Sequence, residues 1–346
     1  MSLPDFRPPI LRAPSVAEAY DLDAPGAFVR LTPERFMAMT RWAEVAGADA
    51  RSVATARDKI RRLQAGRVAR QAAFAGSDRA VDLGIGGHQL RFDLDPRVSN
   101  QFFGRVLKRD AAGRFLEHEP AVVRALGTRL GPGDLLVDIG AHVGYFSCFA
   151  AARGASVIAV EMQATLCDAI RRNAALNGLW QVHTICAALG REPAMAQLIR
   201  LNPAPGMQVQ SEKARAGWVP VSSRNHDLVP ILTVDQMLSM PPTADIGRTI
   251  VKVDVEGAEG LVLSGARRAI VDRSATFIVE IHLRLLETFS TSVGDLLGSF
   301  PAEDWRCVVL EDAVDRETDL TALIGDLESG RVGDRDGNVT VLLEPR

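Results

Sequence analysis

Residues 135–154 read LLVDIGAHVGYFSCFAAARG. The apolar run Leu135–Ile139 carries an acid, Asp138, near its end. Gly140 and Gly144 come next, four residues apart, and Tyr145–Ala152 is then small, apolar and helical in composition. A strand, a glycine-bounded turn and a helix in that order form the opening unit of a parallel α/β sheet. Alternation continues downstream. SVIAVE (156–161) reads as a buried strand, ATLCDAIRRNAALNGL as a helix stopped at Asn177-Gly178, and QVHTICAAL as a third strand. TIVKVDVE (249–256), the helix GAEGLVLSGARRAI and TFIVEIH (276–282) come after them. The chain is therefore expected to be α/β, with a doubly wound, mostly parallel sheet covered on both faces. WRCVVLED and NVTVLLEP, joined by a poorly helical connection, are expected to close it as an antiparallel strand pair. Arg191–Val229 is too long for an ordinary connection and reads as an inserted hairpin or a substrate loop.

A near-copy of the first motif, VDLGIGG, stands at 81–87, but an alternating run comes after it, with Leu90, Phe92 and Leu94 apolar. That is the period of a half-buried strand. The second motif therefore opens no helix and is expected to be a hairpin turn. Upstream of it the chain looks helical. Thr32, Pro33 and Glu34 make a helix start, and Val53, Ala56, Ile60, Leu63 and Val68 approximate helical spacing. Residues 1–78 are expected to form a helical appendage. Its basic run, Arg57–Arg70, reads as a solvated helix face and leaves a homodimer contact through these helices open.

The bulk numbers set bounds. The chain has 346 residues, 47% of them hydrophobic, and a formal net charge of −3. That balance does not argue for nucleic acid. No run approaches the roughly 18 apolar residues of a membrane span. The N-terminus has acid and proline where a signal peptide needs an apolar core. Of four cysteines none forms a close pair, so neither a zinc site nor a disulfide framework is indicated. A soluble protein of the reduced cytoplasm is expected.

Ligands of an open α/β sheet bind beyond the carboxyl ends of its strands. Gly140 would let the chain leave the strand tightly, and Gly144 would let the next helix start close to a ligand. The G-x-x-x-G spacing lacks the third glycine that seats a dinucleotide's pyrophosphate. Asp138 beside the turn would repel a diphosphate but suits a cationic amine. Together these point from NAD toward S-adenosylmethionine. Glu161, 23 residues after Asp138, stands where an acid grips ribose hydroxyls in such folds.

These residues carry a family resemblance. VDIGAHVGYFS, VIAVE, VKVDVEGAEGLVLSGA and FIVEIH resemble the FkbM-type methyltransferases, with the Lys-x-Asp-x-Glu-Gly-Ala-Glu stretch as the most specific part. The resemblance covers about Glu119 to Leu343. It implies a class I methyltransferase-like fold over residues 79–346, S-adenosyl-L-methionine as cofactor, and methylation of a hydroxyl on a sugar, glycan or natural product. His142 departs from the asparagine typical of the family. The expected cofactor-binding set is Asp138, Gly140, Ala141, His142, Gly144, Glu161, Met162, Ala187 and Asp254.

The acceptor side is also readable. Lys252 and Asp254 share one face of their strand, and Glu280 and His282 share one face of the next. Asp254, Glu256, Glu280 and His282 are therefore the catalytic candidates, with Asp254, Glu256 and His282 able to take a hydroxyl proton. Plainer roles remain open: Lys252 paired with Asp254 or Glu280, and His282 closing a strand. A divalent ion on Asp254, Glu280 and His282 is a further option. A metal-free site is preferred because Lys252 could already neutralise one carboxylate. Competing functions are an NAD-dependent sugar-nucleotide oxidoreductase and a non-catalytic binding protein on the same sheet. A small-molecule or glycan acceptor is the expected partner, with no nucleic acid and no membrane span.

Overall fold

A computed structural model describes residues 80–93, 110–111, 113, 115–199, 226–239, 246–330 and 337–346. The expected appendage at 1–78, its dimer contact and its basic run lie outside the described residues, as does Leu94. All described residues belong to one compact unit, Asp78–Arg346.

The near-copy motif is a hairpin. Strands β1 (Ala80–Ile85) and β2 (His88–Asp93) pair antiparallel, with Ile85 opposite His88. Gly86 and Gly87 between them both have positive φ, 53° and 84°, the backbone that a two-residue turn of matching twist demands. Leu90 and Phe92 point into the core.

The main sheet has eight strands in the order β12-β11-β13-β10-β9-β3-β4-β5. Strands β3 (Leu135–Ile139), β4 (Ser156–Glu161), β5 (Val182–Cys186), β9 (Thr249–Val253) and β10 (Thr276–His282) run parallel. Strand β13 (Asn338–Pro345) runs antiparallel between β10 and β11 (Trp305–Val309), which is the expected closing pair. The chain first moves from β3 outward to β4 and β5, and later returns to the other side of β3 with β9. The sheet's switch point lies between β3 and β9.

Helices α1 (Pro120–Arg129), α2 (Tyr145–Ala152) and α3 (Ala164–Leu176) cover one face, meeting Leu136, Val157, Ile250 and Ile278. The opposite face buries Val137, Ile139, Val251, Val253 and Val279 under later helices. Each fully buried side chain of this kind contributes about 1.5–3 kcal/mol, and strands buried on both faces read as the continuous apolar runs seen in the sequence.

Several readings need correction. GAEGLVLSGARRAI is two helices, α5 (Glu259–Ser264) and α6 (Arg267–Val271), after the short α4 (Val234–Leu238). The break falls at Gly265, where a side chain would overlap the Gly190 carbonyl oxygen. QVHTICAAL is two strands, β5 and the two-residue β6 (Ala188–Leu189), with Ala187 between them. The connection between the closing strands is not poor in helix: it contains α8 (Leu320–Glu328), capped by Asp319, after the edge strand β12 (Arg316–Thr318), while α7 (Val293–Leu297) precedes β11. Strands β7 (Ala194–Ile199) and β8 (His226–Leu232) pair antiparallel, as the inserted-hairpin reading expects. Finally, Cys167 and Cys186 form a disulfide across 19 residues of sequence. The expectation of no disulfide rested on close spacing; α3 folds back over β5 and brings two distant cysteines together.

Candidate functional site

The polar candidates collect on the α1–α3 face of the sheet at its carboxyl edge, because strand alternation places them there. Asp138 lies on the same face of β3 as Leu136, and Lys252 on the same face of β9 as Ile250. The two are register partners. Glu280 and His282 share their face of β10 with Ile278.

Asp138 is 1% exposed. One oxygen accepts from the Ser147 hydroxyl at 2.6 Å, and Oδ1 is buried with no hydrogen-bond partner among the described residues. Burial pushes its carboxyl above the usual range, against the pull of Lys252. The turn after β3 is tightly wound: Gly140, His142 and Gly144 all have positive φ. At Gly140 an added Cβ would overlap the carbonyl oxygen of Asp254, so this glycine lets the tips of β3 and β9 approach. Gly144, at the start of α2, faces helix α3 instead: an added Cβ would lie 3.2 Å from Ile170 Cγ2. Ala141 is buried. The amides of Gly140 and Ala141 donate to the Val160 carbonyl, and that of Gly144 to the Ala141 carbonyl.

Glu161 ends β4 and is 6% exposed. Its two oxygens accept from the His142 amide at 3.1 Å and the Gln163 amide at 2.9 Å. Burial outweighs those bonds and raises its carboxyl to about 7. Met162 comes next, half-buried. Ala187 is buried, and its amide donates to the Glu161 carbonyl. Asp138, His142 and Glu161 thus frame the edge between β3 and β4.

Lys252 is 2% exposed, an unusual place for an ammonium. Its Nζ donates to Asp254 Oδ2 at 3.0 Å and lies 4.7 Å from the centre of the Phe146 ring. Burial would lower its pKa, but Asp254, Glu119, Asp138 and Glu280 together raise it. The ion pair is the plainer role foreseen for Lys252. Asp254 sits below its ordinary value, because the charges of Lys252 and His282 overcome burial.

His282 is the hub. Its Nδ1 meets Glu259 Oε1 at 2.8 Å. Its Nε2 faces three carboxylates: Glu256 at 3.6 Å, Glu280 at 3.8 Å and Asp254 at 3.9 Å. Burial would lower its pKa, but the Glu259 bond and the surrounding acids push it up to about 9. Glu280 is raised to about 8 by burial and by Asp254 and Glu119; its Oε1 also accepts from Asn338 at 3.3 Å. The four catalytic candidates are therefore together. Sequence reasoning missed Glu259, which is fully buried and also accepts from the Gly257 amide. Its signal was present as the last acid of Lys-x-Asp-x-Glu-Gly-Ala-Glu, three residues past Glu256 and so on the first turn of α5. Glu119 was missed as well; it takes positive φ just before α1 and pairs with His118.

Residues 138–306 match the model of the methyltransferase FkbM domain, a shorter span than the motif resemblance from about Glu119 to Leu343. No curated protein matches the chain. Among solved structures, methyltransferase FkbM from Methylobacillus flagellatus is similar at 17% identity and TM-score 0.35, over 62% of this chain and 44% of that one. The Pyrococcus abyssi tRNA (uracil-54, C5)-methyltransferase, in complex with S-adenosyl-L-homocysteine, is similar at 13% identity and TM-score 0.33, over 66% of this chain and 38% of that one. The T. thermophilus 16S rRNA N2 G1207 methyltransferase gives 15% identity and TM-score 0.36, over 78% and 50%. The chain thus spans half or less of the length of each of these three proteins. Among the described residues no helix is long and apolar enough to cross a membrane. The match to the methyltransferase FkbM domain model thus covers residues 138–306, just under half of the chain.

Proposed function

We propose that the protein is an S-adenosylmethionine-dependent methyltransferase acting on a hydroxyl of a small molecule, sugar or glycan. The observation that carries this reading is the pair of buried carboxylates at adjacent strand tips, Asp138 with an unpartnered Oδ1 and Glu161, beside the Asp254–Glu280–His282 cluster. The residues fit the cofactor. Asp138 offers an acceptor to an ammonium, and Glu161 offers carboxylate lone pairs to ribose hydroxyls. When bound, the cofactor would supply a methyl group carried on a sulfonium, whose sulfur would keep the electron pair of the C–S bond as the methyl passes to the acceptor oxygen.

The chain's own task is to hold the acceptor and remove its proton. The reacting oxygen must be held about 3–3.5 Å from the carbon it attacks. With its pKa near 9, His282 keeps its proton at neutral pH and acts as a donor. Asp254 is held by Lys252. Glu256 is left as the proton acceptor: its side chain is 71% exposed, next to the cluster, and can pass the proton to water. Its backbone has φ 53°, a strained conformation of the kind retained at working sites.

The NAD reading is weaker. A diphosphate needs converging free amides, and those of Gly140, Ala141, His142 and Gly144 all donate within the chain. The test is transfer of labelled methyl from S-adenosylmethionine to a panel of sugars, glycans and hydroxylated natural products, with tRNA and rRNA as further arms. Methylation of a hydroxyl acceptor, reduced about 10²–10⁴-fold by Glu256→Gln, supports the reading. Methylation of RNA alone, or binding of NADH in place of the cofactor, would overturn it.

A further inference from the structure

We propose that Asp254, Glu280 and His282 form a divalent-cation site. Three observations carry it. Each residue offers a ligand atom, and these atoms lie within 4.8 Å of one another. With Nε2 at 3.9 Å from Asp254 Oδ1 and 3.8 Å from Glu280 Oε1, and no two of the three ligand atoms more than 4.8 Å apart, a point equidistant from all three lies roughly 2.0–2.5 Å from each, within the span of metal–oxygen and metal–nitrogen bonds.

The second observation is the histidine itself. Its side chain is 6% exposed, and Nδ1 is committed to the fully buried Glu259. That bond directs the other ring nitrogen into the cluster, where carboxylate oxygens of Glu256, Glu280 and Asp254 lie 3.6, 3.8 and 3.9 Å away, beyond hydrogen-bond range. A carboxylate on one nitrogen and a cation on the other is the arrangement of metal-ligating histidines. A cation takes the place of the proton that Nε2 otherwise holds.

The third concerns Lys252, whose neutralisation of a carboxylate is the argument for a metal-free site. Among the described residues its hydrogen bond goes to Oδ2 of Asp254, and Oδ1 faces the histidine. Asn338 steadies the Glu280 carboxylate from the neighbouring strand. Two oxygens and one imidazole suit Mn²⁺, Mg²⁺ or Zn²⁺, with coordination positions left for a hydroxyl acceptor and for water. A hydroxyl on that cation gives up its proton more readily, with Glu256 beside it. That role rests on the methyl-transfer reading above; the cation site does not.

The test uses the full chain, stripped with chelator and dialysed, with Mn²⁺ as probe. Electron paramagnetic resonance should show the free Mn²⁺ signal lost on binding, and spin-echo modulation should show an imidazole nitrogen on the bound ion. Glu280→Gln and His282→Gln should weaken binding at least about tenfold, while the exposed Glu317→Gln should not. Absence of Mn²⁺ binding to the folded protein at millimolar concentration would overturn the proposal. So would bound Mn²⁺ without nitrogen modulation, a wild-type measurement that stands even if the variants fail to fold. S-adenosylhomocysteine is titrated in parallel: its binding without Mn²⁺ binding defeats the cation site and leaves the methyltransferase reading intact, and the converse defeats that reading alone.

Discussion

Two glycines from the look-alike motifs should behave alike in stability and differently in function. Gly140→Ala forces a Cβ into the Asp254 carbonyl, 2.9 Å from its carbon, at φ 80°. Gly86→Ala forces one to 2.6 Å from Cζ of the fully buried Phe149, at φ 53°. A side chain in left-handed backbone costs about 1–2 kcal/mol, and overpacking adds about 1–3 kcal/mol. Each variant should therefore lose about 2–5 kcal/mol. At about 2–4 °C per kcal/mol for a unit of this size, the melting temperature should fall by about 10 °C. Gly87→Ala, with nothing within 4 Å of its Cβ, suffers only the backbone cost and should lose about 2–4 °C per kcal/mol of it. The functional split comes from place. Gly140 sets the approach of β3 and β9 beneath Asp254, so its variant should also weaken binding of S-adenosylhomocysteine, whereas the Gly86 variant should bind it as the wild type does. Differential scanning fluorimetry gives the first quantity and calorimetry the second. Gly140→Ala melting no lower than Gly87→Ala, or Gly86→Ala losing cofactor while folded, would refute the assignment of the two turns.

The site carries further expectations. Lys252→Met strands Asp254 without its partner and should cost about 3–5 kcal/mol, the range for breaking a buried pair; adding Asp254→Asn should recover most of it in denaturant titrations. Glu161 has a folded pKa near 7 against 4.5. The folded state thus binds the extra proton between those values, and stability falls as pH rises through them, by on the order of 3 kcal/mol. Melting curves of Glu161→Gln should lack that decline relative to wild type. All site residues lie within Asp78–Arg346, so a chain starting at Ser77 should fold and keep cofactor binding; a folded but non-binding truncation would move the boundary upstream.

The sheet was legible because parallel strands buried on both faces write unbroken apolar runs, as in Val137, Ile139, Val251 and Val253. The hairpin at Gly86-Gly87 was legible from the alternation of Leu90 and Phe92 just past it. Local breaks were not. Gly265 divides a helix because of Gly190, a contact from a distant segment, and α8 hid in a connection whose fold depends on packing under the closing strands. The disulfide was invisible for the same reason. At the site, alternation placed Asp254, Glu280 and His282 together, since period two is local. Glu259 escaped because its importance lies in reaching back to His282 across 23 residues. At Gly144 the sequence also hides a packing contact from a distant helix, since an added Cβ there would lie 3.2 Å from Ile170 Cγ2.

On the proposed function, the β3–β4 edge holds S-adenosylmethionine through Asp138 and Glu161. Calorimetric titration of S-adenosylhomocysteine into the full chain tests it most directly, alongside Glu161→Ala. A hydrogen bond to a charged group is worth roughly 1.5–3 kcal/mol, so the wild type should bind saturably and the variant with an affinity about 10- to 150-fold weaker. Folded wild-type protein that takes up no S-adenosylhomocysteine at millimolar concentration, or a variant that binds it equally well, would contradict it.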